Sequence, residues 1–392
     1  MTNLTIAIAA RNAEATIGRA VSSCLAETDS RILLMDDHSG DDTVRLARAA
    51  GGDRLRVVAV PGPGGVGAAR QAGLDAIDTP TAAWLDADDE WVPGRASRLQ
   101  ALLEAGADVA AESIDLIDGP SGRWLRRIDT PGYLRQPGGP VRLFERNGLP
   151  GDTQVAFRTD VFRAAGGYDP DVVGPESYDL LLRAVRGGAR LAFGDTAGYR
   201  MHAYPGSVSR QLPRQRAALA RALGKHRYED VRALYEDHGY SPRIAAWALV
   251  SMALFRGEPA RALAFLAAAC PDTANPAEVL EPDGPWPLPE GWRRAFARGT
   301  CWLLLGRPAA DEELRTADTG YQSAEAANNR GVALWRRGWH DKARRSFELA
   351  LERRPGYLDA LTNLDASDPS AITTHPLRRH AHRVEYSPVR EA

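Results

Sequence analysis

The N-terminal part of the chain alternates between continuous apolar runs and stretches with helical periodicity. A strand covered on both faces of a sheet shows no polar alternation, so four runs are predicted as buried strands: Leu4–Ala10, Ile32–Met35, Leu55–Val60 and Thr81–Leu85. Helices are predicted over about 13–26, from Asp41 or Asp42 to Ala50, and after a Gly-rich turn. This alternation predicts an α/β fold with right-handed crossovers and a mainly parallel sheet.

The pattern becomes less regular after residue 110. Residues 111–150 are rich in Gly, Pro and Arg, which predicts a loop or short hairpin beside the active site. A strand at Gln154–Arg158 and a short helix at Asp160–Ala165 follow. After about Arg210 the strand signals end and Ala, Leu, Arg and Glu dominate. We therefore predict an α/β domain over 1–210, an all-α domain over 211–364 and a flexible tail over 365–392.

The helical half contains a repeat. Six residues fall on the positions of a tetratricopeptide repeat (TPR): Gly331, Gly338, Ala343, Phe347, Ala350 and Pro355. Asn329 and Asn363 are 34 residues apart, the period of that repeat. Gly299 and Gly306 indicate a middle copy, and a looser copy begins at Ala245. Such repeats predict a concave face for a peptide or partner protein; the alternative is a helical appendage that caps the first domain or forms a homodimer.

Composition excludes several classes of protein. The 49 basic and 51 acidic residues give a net charge of −2, which indicates no nucleic-acid partner. Cys24, Cys270 and Cys301 lack metal-ligand or redox spacing, so we expect buried thiols in a reducing compartment. The N-terminus lacks a signal-peptide pattern, and the longest apolar run, Ile244–Phe255, is too short to cross a bilayer. We expect a cytoplasmic protein.

Three aspartates end the fourth predicted strand, in the run Trp84-Leu85-Asp86-Ala87-Asp88-Asp89-Glu90-Trp91. Ligands bind at the carboxyl ends of strands in open α/β sheets. Adjacent carboxylates repel each other unless a cation is present, and hard oxygen ligands suit Mg²⁺ or Mn²⁺ carrying substrate phosphates. In the alternative interpretation, Asp88 or Asp89 caps the helix that begins near Pro93.

The Gly-rich turn at Pro61–Gly67 opens a helix that carries Arg70. Backbone N–H groups at a helix start, together with an arginine, can hold phosphate oxygens. Most turns of this composition are only turns, so this signal gains weight only beside the acidic run.

Four motifs occur in order along the first half: Ala9-Ala10-Arg11-Asn12, Met35-Asp36-Asp37-His38-Ser39, Gly67-Ala68-Ala69-Arg70-Gln71-Ala72-Gly73 and Asp86-Ala87-Asp88-Asp89. In this arrangement the sequence resembles the nucleotide-sugar half of family 2 glycosyltransferases, which have the Rossmann-like GT-A fold. The resemblance extends from about Leu4 to His202.

The resemblance implies roles for individual residues in binding a nucleotide-diphospho-sugar. The backbone at Ala9 and the side chain of Arg11 would line the base pocket, and Asp37 would read the edge of the base. Arg70 would approach the base or the diphosphate. Asp86 and Asp88 would form the D-x-D motif, in which Asp88 is the direct metal ligand and Asp89 supports it. Arg11 stands where the family more often has an aromatic residue, which leaves the nucleotide open.

The resemblance also implies a catalytic base and a further ligand. An inverting transferase needs a general base for the acceptor, and Ser177 stands where relatives usually carry an aspartate. Glu176 is our first choice; Asp179 is the second, although it could instead pair with Arg183, and an acidic acceptor such as a thiol would need little help. His202, before the serine-containing loop at 203–209, resembles a metal or diphosphate ligand.

These inferences predict an inverting, metal-dependent glycosyltransferase fused to TPR-like helices. Ser, Thr or Cys of a polypeptide is the first predicted acceptor, and a cell-envelope saccharide or lipid-linked acceptor is the alternative. A non-catalytic nucleotide-sugar scaffold is the rival that Ser177 favours, while the clustered aspartates oppose it. Nucleotidyl transfer is disfavoured because residues 9–12 contain neither Gly nor Lys.

Overall fold

A computed structural model describes residues 4–26, 30–151, 154–204 and 212–374. The chain divides into two compact units: residues 1–143 with 147–222, and residues 144–146 with 223–392. The first unit is α/β and the second is helical. The predicted fold class, a mainly parallel α/β domain followed by helices, is confirmed.

The strands of the first unit are β1 (Leu4–Ala10), β2 (Arg31–Asp36), β3 (Leu55–Ala59), β4 (Thr81–Asp86), β5 (Glu90–Trp91), β6 (Val109–Asp118), β7 (Trp124–Ile128), β8 (Val155–Arg158) and β9 (Leu191–Ala203). Its helices are α1 (Ile17–Leu25), α2 (Thr43–Gly51), α3 (Val66–Ala76), α4 (Arg95–Glu104), α5 (Gly132–Arg135), α6 (Thr159–Ala164), α7 (Glu176–Arg186) and α8 (Leu212–Gly224), whose end passes into the second unit. Short 3₁₀ helices cover Gly52–Arg54 and Gly139–Phe144.

One sheet holds all these strands in the order β3-β2-β1-β4-β8-β6-β9-β5, and β7 pairs with β6. Strands β1 to β4 are mutually parallel, and β8 runs antiparallel between β4 and β6. The apolar residues of β1 and β4 are buried on both faces of the sheet, as expected for internal parallel strands. The register pairs Ala9 with Asp86 and Ala10 with Asp36, so the aspartates that end β2 and β4 lie beside the end of β1, at the carboxyl ends of these parallel strands.

The structure corrects the boundaries of two predicted segments and adds a strand. The first helix begins at Ile17 because residues before it form a turn closed on the Ala13 carbonyl. The segment predicted as loop or hairpin, 111–150, contains the hairpin β6–β7, and β6 is an internal strand of the sheet. The added strand is β9, which is 13 residues long and was not predicted from the sequence.

The helices of the second unit are α9 (Tyr228–Asp237), α10 (Pro242–Phe255), α11 (Pro259–Ala269), α12 (Glu290–Leu304), α13 (Ala310–Gly320), α14 (Ala324–Arg336), α15 (His340–Arg353) and α16 (Leu358–Asp365). Glycines let successive helices approach: a Cβ at Gly299 would lie 2.8 Å from Leu314 Cγ, and one at Gly331 would overlap the ring of Phe347. No helix in the described part of the chain is both long and apolar enough for a membrane span.

The start of the predicted flexible tail is packed. Ala371, Ile372 and Thr373 are buried, and the backbones of Ala371 and Thr373 hydrogen-bond to asparagine side chains of α14 and α16. The prediction of a flexible tail from residue 365 therefore fails for this stretch, whose apolar character is too short to stand out in sequence. The rest of that tail, 375–392, lies outside the described residues, as does 205–209 of the loop after His202.

Candidate active site

The loops that leave β1 and β2 are tied together at the polar edge of the sheet. Asn12 and His38 adopt left-handed backbone conformations, with φ of 49° and 60°, so the chain turns sharply after each strand. Asn12 N–H donates to Ser39 Oγ at 3.0 Å, and Asn12 Oδ1 accepts from Gly40 N–H at 2.9 Å. These bonds hold Arg11 and Asp37 on neighbouring turns.

Asp37 is buried, with 5% of its surface exposed. Its carboxylate accepts from Gly65 N–H, at 3.1 Å to Oδ1 and 3.0 Å to Oδ2, and lies 3.7 Å from Arg11 Nη1. Gly64 has φ of 78°, and a Cβ there would overlap Asp37. The Gly-rich turn therefore folds onto Asp37, and one of the amides predicted to hold phosphate already donates to this carboxylate.

Arg70 is buried between two carboxylates. Its Nη2 donates to Asp86 Oδ1 at 3.0 Å, its Nη1 contacts Glu176 Oε1, and Ser177 Oγ lies 3.4 Å from Nη1. Burial alone would lower the pKa of Arg70, but Glu176 and Asp86 together raise it above its ordinary value. Arg70 thus joins the first aspartate of the D-x-D motif to the first predicted base.

Asp86 and Glu176 each have a second partner. Asp86 Oδ2 accepts from Gln154 Nε2 at 2.9 Å, and Glu176 Oε2 accepts from the N–H of Gly174 at 2.8 Å. Gln154 is a site residue that the sequence did not indicate; it is the first residue of the predicted strand Gln154–Arg158, and only the pairing of β8 with β4 brings it to Asp86. Both carboxylates are held in fixed orientations by these bonds.

The buried side chain of Asp89 connects the end of β4 to strand β9 by hydrogen bonds. Its carboxylate accepts from Tyr199 OH at 2.8 Å and from the backbone N–H of His202 at 2.7 Å. Burial raises its pKa well above the ordinary value, and Asp88 and Asp86 add to the increase. Asp89 therefore positions the neighbouring residues, in keeping with the supporting role predicted for it.

Asp88 differs from its two acidic neighbours. No other described residue hydrogen-bonds to its carboxylate; only its main-chain carbonyl has a partner, Arg19 Nη2 at 2.6 Å. Burial and the charge of Asp86 raise its pKa to about 6. The predicted capping role is not seen, since α4 begins after Gly94 and no side chain caps it.

His202 is 8% exposed, and its Nε2 lies 2.7 Å from Glu90 Oε1. Burial and then the charge of Arg19 lower its pKa, so the ring is neutral at pH 7. A neutral ring that donates from Nε2 to Glu90 keeps a lone pair on Nδ1, which is buried and lacks a partner among the described residues. Histidine ligands of metals have this arrangement, with the second nitrogen bound to a carboxylate.

The described residues contain no cluster of three His, Cys, Asp or Glu side chains that could hold a metal by itself. Mg²⁺ in phosphate-binding enzymes needs only one or two carboxylates, because substrate oxygens and water complete its shell. Asp88, and His202 through Nδ1, each have the free oxygen or nitrogen that such a cation requires. The residues therefore fit a cation that arrives with a diphosphate.

Asp179 occupies a different environment from Glu176. It is fully buried and pairs with Arg183 at 2.7 Å, while the same arginine donates to the carbonyls of Ala165 and Gly167. These contacts fix the turn after α6. The geometry favours the alternative stated above, in which Asp179 pairs with Arg183, over a role as base.

Comparisons with known proteins agree with this architecture. The family described as "Glycosyl transferase family 2" matches residues 5–165. The succinoglycan biosynthesis protein ExoU of Rhizobium meliloti is 33% identical over 249 residues, which cover 60% of this chain and 68% of ExoU. ExoO of the same organism is 32% identical over 221 residues, covering 54% of this chain and 63% of ExoO.

A solved structure has the same fold. The crystal structure of Staphylococcus aureus TarS 1–349 in complex with UDP-GlcNAc superposes with a TM-score of 0.50 at 14% identity, covering 90% of this chain and 91% of that one. Sheet, acidic strand end and relatives together define a nucleotide-sugar-dependent glycosyltransferase. The chain belongs to glycosyltransferase family 2, as the resemblance predicted.

Proposed function

We propose that this enzyme is an inverting transferase that takes its sugar from a nucleotide-diphospho-sugar and depends on Mg²⁺ or Mn²⁺. The observation that carries the metal dependence is the pair of under-coordinated groups at the sheet edge, the Asp88 carboxylate and His202 Nδ1. When bound, the cation supplies charge stabilisation to the leaving diphosphate.

On the donor side, we assign the base pocket to the Ala9 backbone, Arg11 and Asp37. The charged contact between Arg11 and Asp37 supports this grouping. Each oxygen of the Asp37 carboxylate keeps a second acceptor site beside its bond to the Gly65 N–H, so Asp37 can also accept from a base. Because the fold neighbour was crystallised with UDP-GlcNAc, uridine diphosphate sugars are the first donors to test.

We assign the general base to Glu176. A carboxylate paired with an arginine holds its charge and is a weaker proton acceptor, so the contact with Arg70 must loosen during turnover. An anionic diphosphate competes with Glu176 for Arg70, as the predicted role of Arg70 requires. Donor binding would in this way free the base for the acceptor, and Asp86 would keep Arg70 in place.

For the acceptor we place a saccharide first, because the two relatives at 33% and 32% identity are named for succinoglycan biosynthesis. The polypeptide acceptor predicted from the repeats is the second candidate. Its support is a group of three asparagines in the helical unit, Asn328, Asn329 and Asn363, whose side chains hydrogen-bond to main-chain groups.

The test is release of nucleoside diphosphate from a panel of nucleotide sugars, with Mn²⁺ and with chelator. Wild type should release one nucleotide only with the cation, and Asp88→Asn should lose at least about 100-fold of that rate. The matched control is Asp53→Asn, an exposed aspartate on the 3₁₀ turn before β3. Equal turnover with chelator would reject the metal, and equal turnover by Asp88→Asn would reject its assignment as ligand.

A further inference from the structure

Three asparagines are buried on the inner side of the helical unit. Asn328 and Asn329 on α14 are fully buried, and Asn363 on α16 is 2% exposed. A primary amide has two donors and two acceptor sites, and burying it without partners is costly. These side chains must therefore be satisfied by groups that come close to them.

The partners are backbone groups of the chain's own segment 371–373. Asn363 binds both main-chain groups of Ala371. The Ala371 N–H donates to Asn363 Oδ1 at 2.8 Å, and the Ala371 carbonyl accepts from Asn363 Nδ2 at 2.8 Å. Asn329 binds both groups of Thr373 in the same way, at 2.9 Å and 2.8 Å. Asn328 adds a bond to the Ala371 carbonyl at 2.9 Å.

The site is also braced from behind. Asn363 Nδ2 donates to Asn328 Oδ1 at 2.8 Å, and Asn329 Nδ2 lies 3.1 Å from Thr300 Oγ1 on α12. Three helices thus hold the amides in register. Alternate residues that use both backbone groups on one side have the pattern of a strand added to a sheet edge.

The side chains of the segment make contacts away from the asparagines: Ile372 packs in an apolar cluster, and Thr373 hydrogen-bonds to the side chain of Tyr357. Ile372 belongs to the hydrophobic cluster of α12 to α15 that contains Leu314 and Phe347. The asparagine bonds reach only main-chain atoms, which every residue other than proline presents in the same form. The requirement is therefore an extended backbone with a small residue, an aliphatic residue and then a hydroxyl residue that can bond to Tyr357.

We propose that this asparagine site is a peptide-binding site of the enzyme, occupied in cis by residues 371–373, and that an extended segment of another polypeptide can take their place. An incoming backbone would restore every hydrogen bond that the asparagines make to the departing backbone, so the exchange leaves no asparagine amide unpaired. The linker from Asp365 to Ala371 is only five residues, so the segment competes at a local concentration on the order of millimolar.

The experiment frees the site within the full-length chain. The double variant Ala371→Pro, Thr373→Pro removes the two N–H groups that donate to Asn363 Oδ1 and Asn329 Oδ1. It leaves all three asparagines intact. The probe is a fluorescein-labelled peptide with the sequence of residues 368–374, followed by fluorescence polarisation. Ser370→Pro is the matched control, because Ser370 is exposed and outside the asparagine contacts.

The double variant should bind the peptide at least about tenfold more tightly than wild type or Ser370→Pro, since the cis competitor is removed. A peptide N-methylated at the amides corresponding to Ala371 and Thr373 should not bind. Equal binding by all three proteins, or undiminished binding of the methylated peptide, would overturn the proposal. These are binding measurements, so their failure is distinct from failure of the proposed sugar transfer.

Two further measurements keep the proposal open to refutation if the double variant does not fold. In the wild type, the amides of Ala371 and Thr373 should exchange with deuterium at least about tenfold faster than those of α14, because the segment leaves without unfolding the helices. Exchange as slow as that of α14 would mean a fixed part of the fold. Dimerisation of wild type that Thr373→Pro abolishes would assign the site to a second copy and overturn the foreign partner.

Discussion

Replacing Glu176 with glutamine separates its two roles, as partner of Arg70 and as base. The change removes the negative charge and keeps the shape of the side chain. Deleting one member of a buried ion pair costs roughly 3–5 kcal/mol when the other charge is left alone. Here Asp86 stays 3.0 Å from Arg70 Nη2, and the glutamine oxygen still accepts from Nη1. We therefore expect a loss of only about 1–2 kcal/mol in the free energy of unfolding.

The effect on catalysis should be much larger. Loss of a general base lowers turnover by roughly 100- to 10,000-fold, while the donor dissociation constant should change by less than about fivefold, or about 1 kcal/mol. The assays are urea unfolding, donor binding by calorimetry, and release of nucleoside diphosphate in the presence of an acceptor. A selective fall in turnover with binding retained is the expected signature.

Asp179→Asn is the matched comparison, since it removes a charge from the other candidate base on the same helix. Because Asp179 pairs with buried Arg183 and helps fix the turn after α6, we expect a loss of roughly 3 kcal/mol in stability. Its turnover per folded molecule should stay near that of wild type. Full turnover by Glu176→Gln, together with a large loss in Asp179→Asn, would refute the reasoning and exchange the two roles.

Three further predictions concern charge and close packing. In metal-free protein the pKa of Asp88 is raised to about 6, so the folded state holds its proton more tightly than the unfolded state does. The free energy of unfolding should therefore fall by roughly 2 kcal/mol as pH rises from 4 to 7. Urea unfolding at several pH values should show this fall in wild type and a smaller one in Asp88→Asn; the same pH dependence in both would refute the pKa shift. Gly64→Ala should weaken donor binding and lower the free energy of unfolding by about 1–3 kcal/mol, because its Cβ overlaps Asp37. The control is Gly62→Ala, which has a φ of 70° but open space around its Cβ and should bind the donor normally. Equal binding by the two variants would exclude the overlap as the cause. Gly331→Ala should destabilise the helical unit by about 1–3 kcal/mol, because its Cβ overlaps the ring of Phe347. Gly320→Ala is the control, since its Cβ meets no atom within 4 Å. Equal melting temperatures for the two variants would contradict the close approach of α14 and α15 at Gly331.

The strands and helices that the sequence predicts are those with a local signal. Strands β1 to β4 consist mainly of apolar residues, so their positions follow from the local sequence. Strand β6 is not evident from the sequence, because Glu112, Ser113 and Asp115 interrupt its apolar run although Glu112 and Ser113 are buried. Arg95 and Arg98, which pair with Glu112, lie 17 and 14 residues earlier, so the compensation is not visible locally.

The candidate site divides in the same way. Asp86 and Asp88 follow from strand-end position, and Asp37 and His202 from the family resemblance. The contact of Arg70 with Glu176 spans 106 residues, and the bond between Gln154 and Asp86 spans 68. Only the sheet order, with β8 placed next to β4, creates the second of these, and no local pattern records it.

The unequal surroundings of Asp88 and Asp89 bear on how this enzyme can change over evolutionary time. Asp89 bonds to Tyr199 and to the main chain at His202, so its loss would damage the fold whether or not sugar is transferred. The Asp88 carboxylate makes no such hydrogen bond to another described residue. A descendant that no longer transfers sugar would therefore keep aspartate at position 89 and accept other residues at position 88. Position 88, rather than the acidic run as a whole, would then distinguish inactive relatives from active ones.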